Sequence, residues 1–336
     1  MTQVAATRYN VVFRSVSGID GTLRDVSGSV FVPPGPPPTG GWPLIAYGHG
    51  TTGLSPDCGP SAFPDLLGYD SVVASLVALG FVVSVPDFEG LGQPGVHPFL
   101  EPRTAAFNMI DAVRAARNVV PDTSTRWFAV GVSQGGQASW AANELAGEYG
   151  DGLQFLGSTS QSPFADLSNM PELASGGWLT RAQQVLLPLL VEGLKRTHPG
   201  IDPTDYLHGA LEANKQLFLA CTGPAIEESR AVVVGVADSV PTSPAATDSL
   251  RKALADYAVP QRPASGPMLV ITGSEDDVVR PQWVTSAVEE ACKLGDTVEF
   301  VIRDGETQYN LDAGPRVAAW LQERLVGAAP VNTCAT

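Results

Sequence analysis

Gly131-Val132-Ser133-Gln134-Gly135-Gly136 is the stretch that decides the fold. It has the spacing G-x-S-x-G, with an apolar run at 126–132 (RWFAVGV) before it and a helical period at 134–148 after it. A strand that bends this sharply into a helix needs glycine at the flanking positions, because a Cβ there would strike the turn. The serine hydroxyl then projects from the end of the sheet. The helix behind it offers backbone N–H groups with no partner inside the helix. A bare G-x-S-x-G arises often by chance; the strand before it and the helix after it make Ser133 a candidate nucleophile.

Outward from this bend the chain alternates. Runs at 43–48 (PLIAYG), 81–86 (FVVSVP), 153–159, 267–272 (PMLVIT) and 297–302 (TVEFVI) read as buried strands. Helices are expected at 61–79, 103–118, 134–148, 282–294 and 314–326. Strand then helix, repeated, means an α/β class fold with a mainly parallel sheet and helices on both faces. Residues 9–16 and 22–32 alternate apolar and polar and read as an antiparallel pair. The pattern breaks after about residue 162: 164–257 holds helical runs and prolines but no convincing strand, its clearest amphipathic helix being 178–196. Residues 1–162 and 258–336 therefore read as one core domain, with 163–257 as an inserted helical cap; a separate second domain is the alternative.

The 336 residues suffice for one large domain with such an insertion. Charged residues are 16% of the chain and the net charge is −15. That charge disfavours nucleic acid and a polybasic membrane anchor, and suits a neutral or lipophilic small molecule. No stretch approaches the roughly 18 apolar residues of a membrane span. The opening MTQVAATRYN has no basic or apolar leader region, so the chain reads as cytosolic or as a mature form. Cys58, Cys221, Cys292 and Cys334 allow several pairings that sequence alone does not separate. No His, Cys or Glu cluster has metal-ligand spacing and no phosphate-cradling loop precedes a lysine, so no metal, nucleotide or other cofactor is expected.

A serine nucleophile needs donors for the oxyanion. The backbone N–H of Gln134 is one; the loop Gly48-His49-Gly50-Thr51-Thr52-Gly53 would supply the other from Thr51 or Thr52. His49 is expected to brace that loop rather than act as the base. The acid belongs after a late strand, in Gly273-Ser274-Glu275-Asp276-Asp277, with Asp276 preferred to Asp277. The order Ser, Asp, His then requires a histidine after the last strand. The loop Arg303-Asp304-Gly305-Glu306-Thr307-Gln308-Tyr309-Asn310 has none, and no histidine occurs after His208.

GHGTTG at 48–53, PDFEGLGQPGVHPFL at 86–100, GVSQGGQA at 131–138 and GSEDDVV at 273–279 together resemble the secretory lipase family, the fungal lipase A type and its bacterial relatives. The blocks span most of the core in the family's order. The resemblance implies an α/β-hydrolase fold with a helical cap, acting on esters or acylglycerols without a cofactor. It implies a nucleophile at Ser133, an acid at Asp276, and oxyanion donors at Gln134 and the Thr51/Thr52 turn. The family's histidine falls on Gln308. His97, in the second block, is expected to be structural or pocket-lining. Trp178, Leu179, Leu186, Leu187, Leu189 and Leu190 are expected to line or close an apolar pocket. The resemblance also implies the pairs Cys58–Cys221 and Cys292–Cys334, and with them a secreted protein, as a monomer or homodimer.

Glutamine cannot take a proton near pH 7, although its amide can hydrogen-bond both the serine and the aspartate. Hydrolysis should therefore fall steeply. Either Gln308 is a replacement introduced to silence the enzyme or trap a substrate, or the natural protein lacks the base; the intact surroundings favour the first. The reading is a disabled carboxylesterase or lipase. The alternatives are an acyltransferase or other non-hydrolytic member of the fold, a ligand-binding protein, and, more weakly, a peptidase.

Overall fold

A computed structural model describes residues 6–222 and 224–335. Residues 1–5, on which part of the reading of the amino terminus rests, lie outside the described residues, as do 223 of the inserted segment and 336. The strands are β1 (Thr7–Val16), β2 (Leu23–Val32), β3 (Trp42–Gly48), β4 (Val82–Pro86), β5 (Thr123–Val132), β6 (Gln154–Gln161), β7 (Met268–Gly273) and β8 (Val298–Arg303). They form one sheet in the order β1-β2-β4-β3-β5-β6-β7-β8. β2 pairs antiparallel with β1 and β4, and the pairings from β4 across to β8 are parallel. This is the expected α/β-hydrolase architecture.

Helices α1 (Asp70–Ala78), α2 (Pro102–Val119) and α3 (Gln134–Tyr149) fall between strands, as do α10 (Pro281–Lys293) and, after β8, α11 (Gly314–Leu325). Alternate residues of the central strands face opposite layers. Leu44, Ala46, Trp127 and Ala129 pack with Phe107 of α2, Trp140 of α3 and Trp283 of α10. Ile45, Tyr47, Phe128 and Val130 pack with Val73 of α1 and Trp320 of α11. Both faces are covered, which is why these strands read as unbroken apolar runs. A buried side chain such as Phe128 contributes about 1.5–3 kcal/mol.

Between β6 and β7 the described residues form α4 (Met170–Ser175), α5 (Arg181–Leu194), α6 (Gly209–Ala213), α7 (Lys215–Leu219), α8 (Pro224–Ala231) and α9 (Pro244–Ala255), with no strand. The disulfides Cys58–Cys221 and Cys292–Cys334 are formed, across 163 and 42 residues. They are the pairs the resemblance implied.

Two helix expectations are corrected. Residues 61–79 are not one helix: short 3-10 turns precede α1, and Leu66 (φ 53°), Leu67 (φ 55°) and Gly68 (φ 97°) are left-handed. Pro64 lacks an N–H, and a left-handed run cannot continue a right-handed helix. The expected helix 178–196 begins only at Arg181. The Thr180 hydroxyl accepts from the Gln183 N–H at 3.1 Å and the Gln183 side chain accepts from the Thr180 N–H at 3.2 Å, a capping box that sets the start. Trp178 is left outside the helix and 69% exposed, so it does not line a buried pocket.

Candidate active site

Strand β5 delivers Ser133 into a left-handed turn, φ 58° and ψ −118°. A serine held there carries strain of about 1–3 kcal/mol, so its surroundings must impose the conformation. Backbone packing does so. A Cβ on Gly135 would lie 1.9 Å from the Gly48 carbonyl oxygen, and one on Gly131 2.0 Å from the Gly135 carbonyl oxygen. The Ser133 N–H donates to Gln161 O at 2.8 Å, and its carbonyl accepts from the Gln137 N–H at 3.1 Å and the Phe164 N–H at 3.3 Å. Gln134 is the first residue of α3, so its N–H has no partner within the helix.

The loop after β3 lies against this bend. A Cβ on Gly50 would meet the Tyr69 hydroxyl at 2.4 Å and the Ser133 Cβ at 3.6 Å. His49 is fully buried, with Nδ1 2.7 Å from Gly50 O and Nε2 3.4 Å from Asp87 O, and it packs on Phe88. Burial lowers its pKa, against the opposing pull of the Gly50 carbonyl and the Asp87 charge. It braces the loop. The Thr52 hydroxyl donates to Cys58 O at 2.9 Å. The Leu54 N–H donates to Leu219 O and the Thr222 N–H to Thr52 O, each at 3.0 Å, so the inserted segment runs alongside the loop beside the Cys58–Cys221 bridge. The Thr51 hydroxyl is buried with no hydrogen-bond partner among the described residues.

Asp276 follows β7 and is 4% exposed, whereas Asp277 is exposed. Its Oδ1 accepts from the N–H groups of Val278 at 3.0 Å and Val279 at 2.8 Å. Burial pushes the carboxyl above the ordinary carboxylate range and the Asp277 charge adds to that; the Val279 and Val278 N–H groups and the nearby Ser162 hydroxyl oppose it. The Ser162 hydroxyl and the second Asp276 oxygen have no well-formed hydrogen bond among the described residues.

Gln308 sits in the loop after β8. Its Nε2 donates to Ser133 Oγ at 3.4 Å, a long hydrogen bond. The structure thus brings Ser133 and Gln308 together. It does not join Gln308 to Asp276: Gln308 Oε1 and Asp276 Oδ2 are both buried without a partner among the described residues.

His97 does what the sequence did not disclose. Its Nδ1 donates to Glu89 O at 2.8 Å and its Nε2 accepts from the Gln134 side-chain amide at 2.7 Å. Burial pulls its pKa down to about 3, so the ring is neutral and acts as an acceptor. With Glu89, Asn108, Gln134 and Gln137 it lines a cavity of about 10 Å³, room for about one water. His198 bonds Asp256 at 3.0 Å and Thr197 at 2.8 Å, and His208 bonds Val240 O at 3.0 Å. Neither contacts Ser133 by a hydrogen bond.

The segment between β6 and β7 touches the loops after β3, β4 and β7. At the start of α5, Thr180 donates to Asp277 O at 2.7 Å and the Gln183 amide to Val278 O at 3.2 Å. Beyond its end, Arg196 pairs with buried Glu89 at 2.5 Å and donates to Val96 O at 2.6 Å. Leu186, Leu187, Leu189 and Leu190 are buried in one cluster with Phe99 and Phe164, the latter bonded to the Ser133 carbonyl. Sequence reasoning missed Tyr69, Ser162 and the Arg196–Glu89 pair. Only Ser162 carried a signal: it directly follows the strand beside β5.

The model of the secretory lipase family matches residues 67–333. A Mycobacterium tuberculosis protein named "probable inactive lipase" is 31% identical over 171 residues, a match covering 47% of this chain and 36% of that protein. The chain thus spans well under half the length of this relative. Among solved structures, Candida antarctica lipase A in its closed state superposes with a TM-score of 0.76 at 16% identity, covering 99% of this chain and 81% of that one. A rice cell wall degrading esterase of Xanthomonas oryzae superposes with a TM-score of 0.75 at 20% identity, covering 96% and 89%. Identities this low establish the α/β-hydrolase fold alone; the family match over most of the chain goes further, and the chain belongs to the secretory lipase family.

Proposed function

We propose that the chain is a serine carboxylesterase or lipase whose ordinary turnover is disabled at Gln308. Ser133 is the nucleophile, Asp276 the acid, and the N–H groups of Gln134 and the Thr51/Thr52 turn hold the oxyanion. Residues 163–257 are the cap over the site, with Leu186 in its apolar packing. The substrate is a small ester or acylglycerol, and no cofactor enters the reaction. One observation carries the reading: Gln308 Nε2 lies 3.4 Å from Ser133 Oγ, where a base would stand. An amide there holds the hydroxyl but cannot accept its proton. General-base assistance is worth about 10²–10⁴-fold, and its loss leaves a poor nucleophile.

The bridges Cys58–Cys221 and Cys292–Cys334 support a protein working in an oxidising compartment, in keeping with the family. The name of the Mycobacterium tuberculosis relative supports natural loss of the base over an introduced replacement. It equally favours a second reading, ligand binding without turnover. The test is the hydrolysis of short and long p-nitrophenyl esters by the chain, by Gln308→His, and by Gln308→His combined with Ser133→Ala. Activity that appears only in Gln308→His is the expected result. Steady turnover by the unaltered chain would mean the base lies elsewhere, and activity in none of the three would favour binding.

A further inference from the structure

The two halves of ester hydrolysis do not need the base equally, and the geometry around Ser133 separates them. In acylation, Oγ attacks the carbonyl carbon, the Oγ–C bond forms, and the bond to the leaving group breaks. Where the leaving group departs as a stable anion, it needs no proton; the serine proton passes to solvent. The Gln308 N–H, directed at Oγ from 3.4 Å, fixes the position of the attacking oxygen. In deacylation a water must lose a proton as it attacks, and the serine oxygen must gain one as it leaves. Both transfers need a group that exchanges protons at the position Gln308 occupies.

Among the described residues, no histidine is placed to take over. His49 is tied to Gly50 and Asp87, His97 to Glu89 and Gln134, His198 to Asp256 and Thr197, and His208 to Val240. Asp276 accepts two backbone N–H bonds on Oδ1 and has no hydrogen bond to Gln308.

We propose that Ser133 is a single-use acyl acceptor: it takes an acyl group from donors with an anionic leaving group, such as aryl esters, and keeps it as a stable serine ester. This rests on the reading of Ser133 as the nucleophile and adds what the site does once the base is gone. The products balance as acyl-Ser133, the free anion and one proton released to solvent.

The test mixes the full chain with p-nitrophenyl butyrate and follows p-nitrophenolate release, intact mass and a peptide map. Release should stop near about one equivalent per chain. The butyryl group should map to Ser133 and turn over on the order of 10²–10⁴-fold more slowly than in Gln308→His. Ethyl butyrate, whose alkoxide leaves poorly, should give no adduct. The map locates the adduct without relying on how a Ser133→Ala variant folds. Continuous turnover by the unaltered chain overturns the proposal. So does absence of an adduct when Gln308→His hydrolyses the same ester, an outcome that leaves the proposed function standing. Inertness of both chains removes the proposal and the reading beneath it.

Discussion

The bend at Ser133 and the loop carrying Gln308 end one hydrogen bond apart, yet they are held by different means. The bend is fixed by backbone against backbone, with glycines at 131 and 135 too close to their neighbours for any Cβ. The loop after β8 is pinned without using residue 308. The Glu275 N–H donates to Glu306 O at 2.9 Å, the Thr307 N–H to the Asn310 side chain at 2.6 Å, and Arg303 pairs with Glu306 at 3.1 Å. The side chain at 308 is therefore free to change without altering the fold. A site can keep its geometry and lose its proton chemistry because separate contacts maintain the two.

The sharpest way to break this contrast is Gly135→Ala. Its new Cβ would meet the Gly48 carbonyl at 1.9 Å, and neither β3 nor α3 can yield locally. A loss of about 3 kcal/mol or more is expected in denaturant unfolding. Gln308→Ala should cost no more than about 0.5–1 kcal/mol. Equal losses would mean that the 308 side chain helps hold the fold. The Cys58–Cys221 bridge ties the loop after β3 to the helical segment between β6 and β7. Its removal by Cys58→Ser combined with Cys221→Ser should cost about 2–5 kcal/mol in thermal unfolding. The 163-residue span predicts a larger loss than removal of Cys292–Cys334, which spans 42. The reverse order would show that native contacts, not chain entropy, decide the effect.

Glu144, in the second half of α3, gives a pH-dependent effect. It is buried, and the burial raises its pKa from 4.5 to about 8, against the Gln261 N–H and the Arg262 charge. A folded-state pKa above the unfolded value means stability that is full below pH 4.5 and is lost as pH rises through about 8. Glu144→Gln should remove that loss and be more stable than the parent at pH 9. It should leave acyl capture by Ser133 unchanged. A pH–stability curve identical to the parent's would contradict it.

The sheet was legible because each central strand is buried on both faces and so reads as an apolar run. The bend was legible because its glycines are steric necessities. The region 61–79 misled because periodicity carries no signal for the left-handed turn at Leu66 and Leu67. Trp178 misled because an apolar residue beside a helix reads as packing, while the Thr180 cap actually excludes it. The His97–Gln134 hydrogen bond joins residues 37 apart, and the contacts of Gln183 with Val278 and of Arg196 with Glu89 join residues about a hundred apart. Such meetings follow from tertiary packing, not local pattern. Spacing left the cysteine pairs open, and the family resemblance chose them.

On the proposed reading, one missing base separates this site from hydrolysis. This is tested most directly by the pH dependence of kcat/KM for Gln308→His on p-nitrophenyl butyrate. kcat/KM should rise with pH through a single apparent pKa in the histidine range, about 6.5, and the activity should vanish with Ser133→Ala. A flat profile, or one no faster than the unaltered chain, would contradict it.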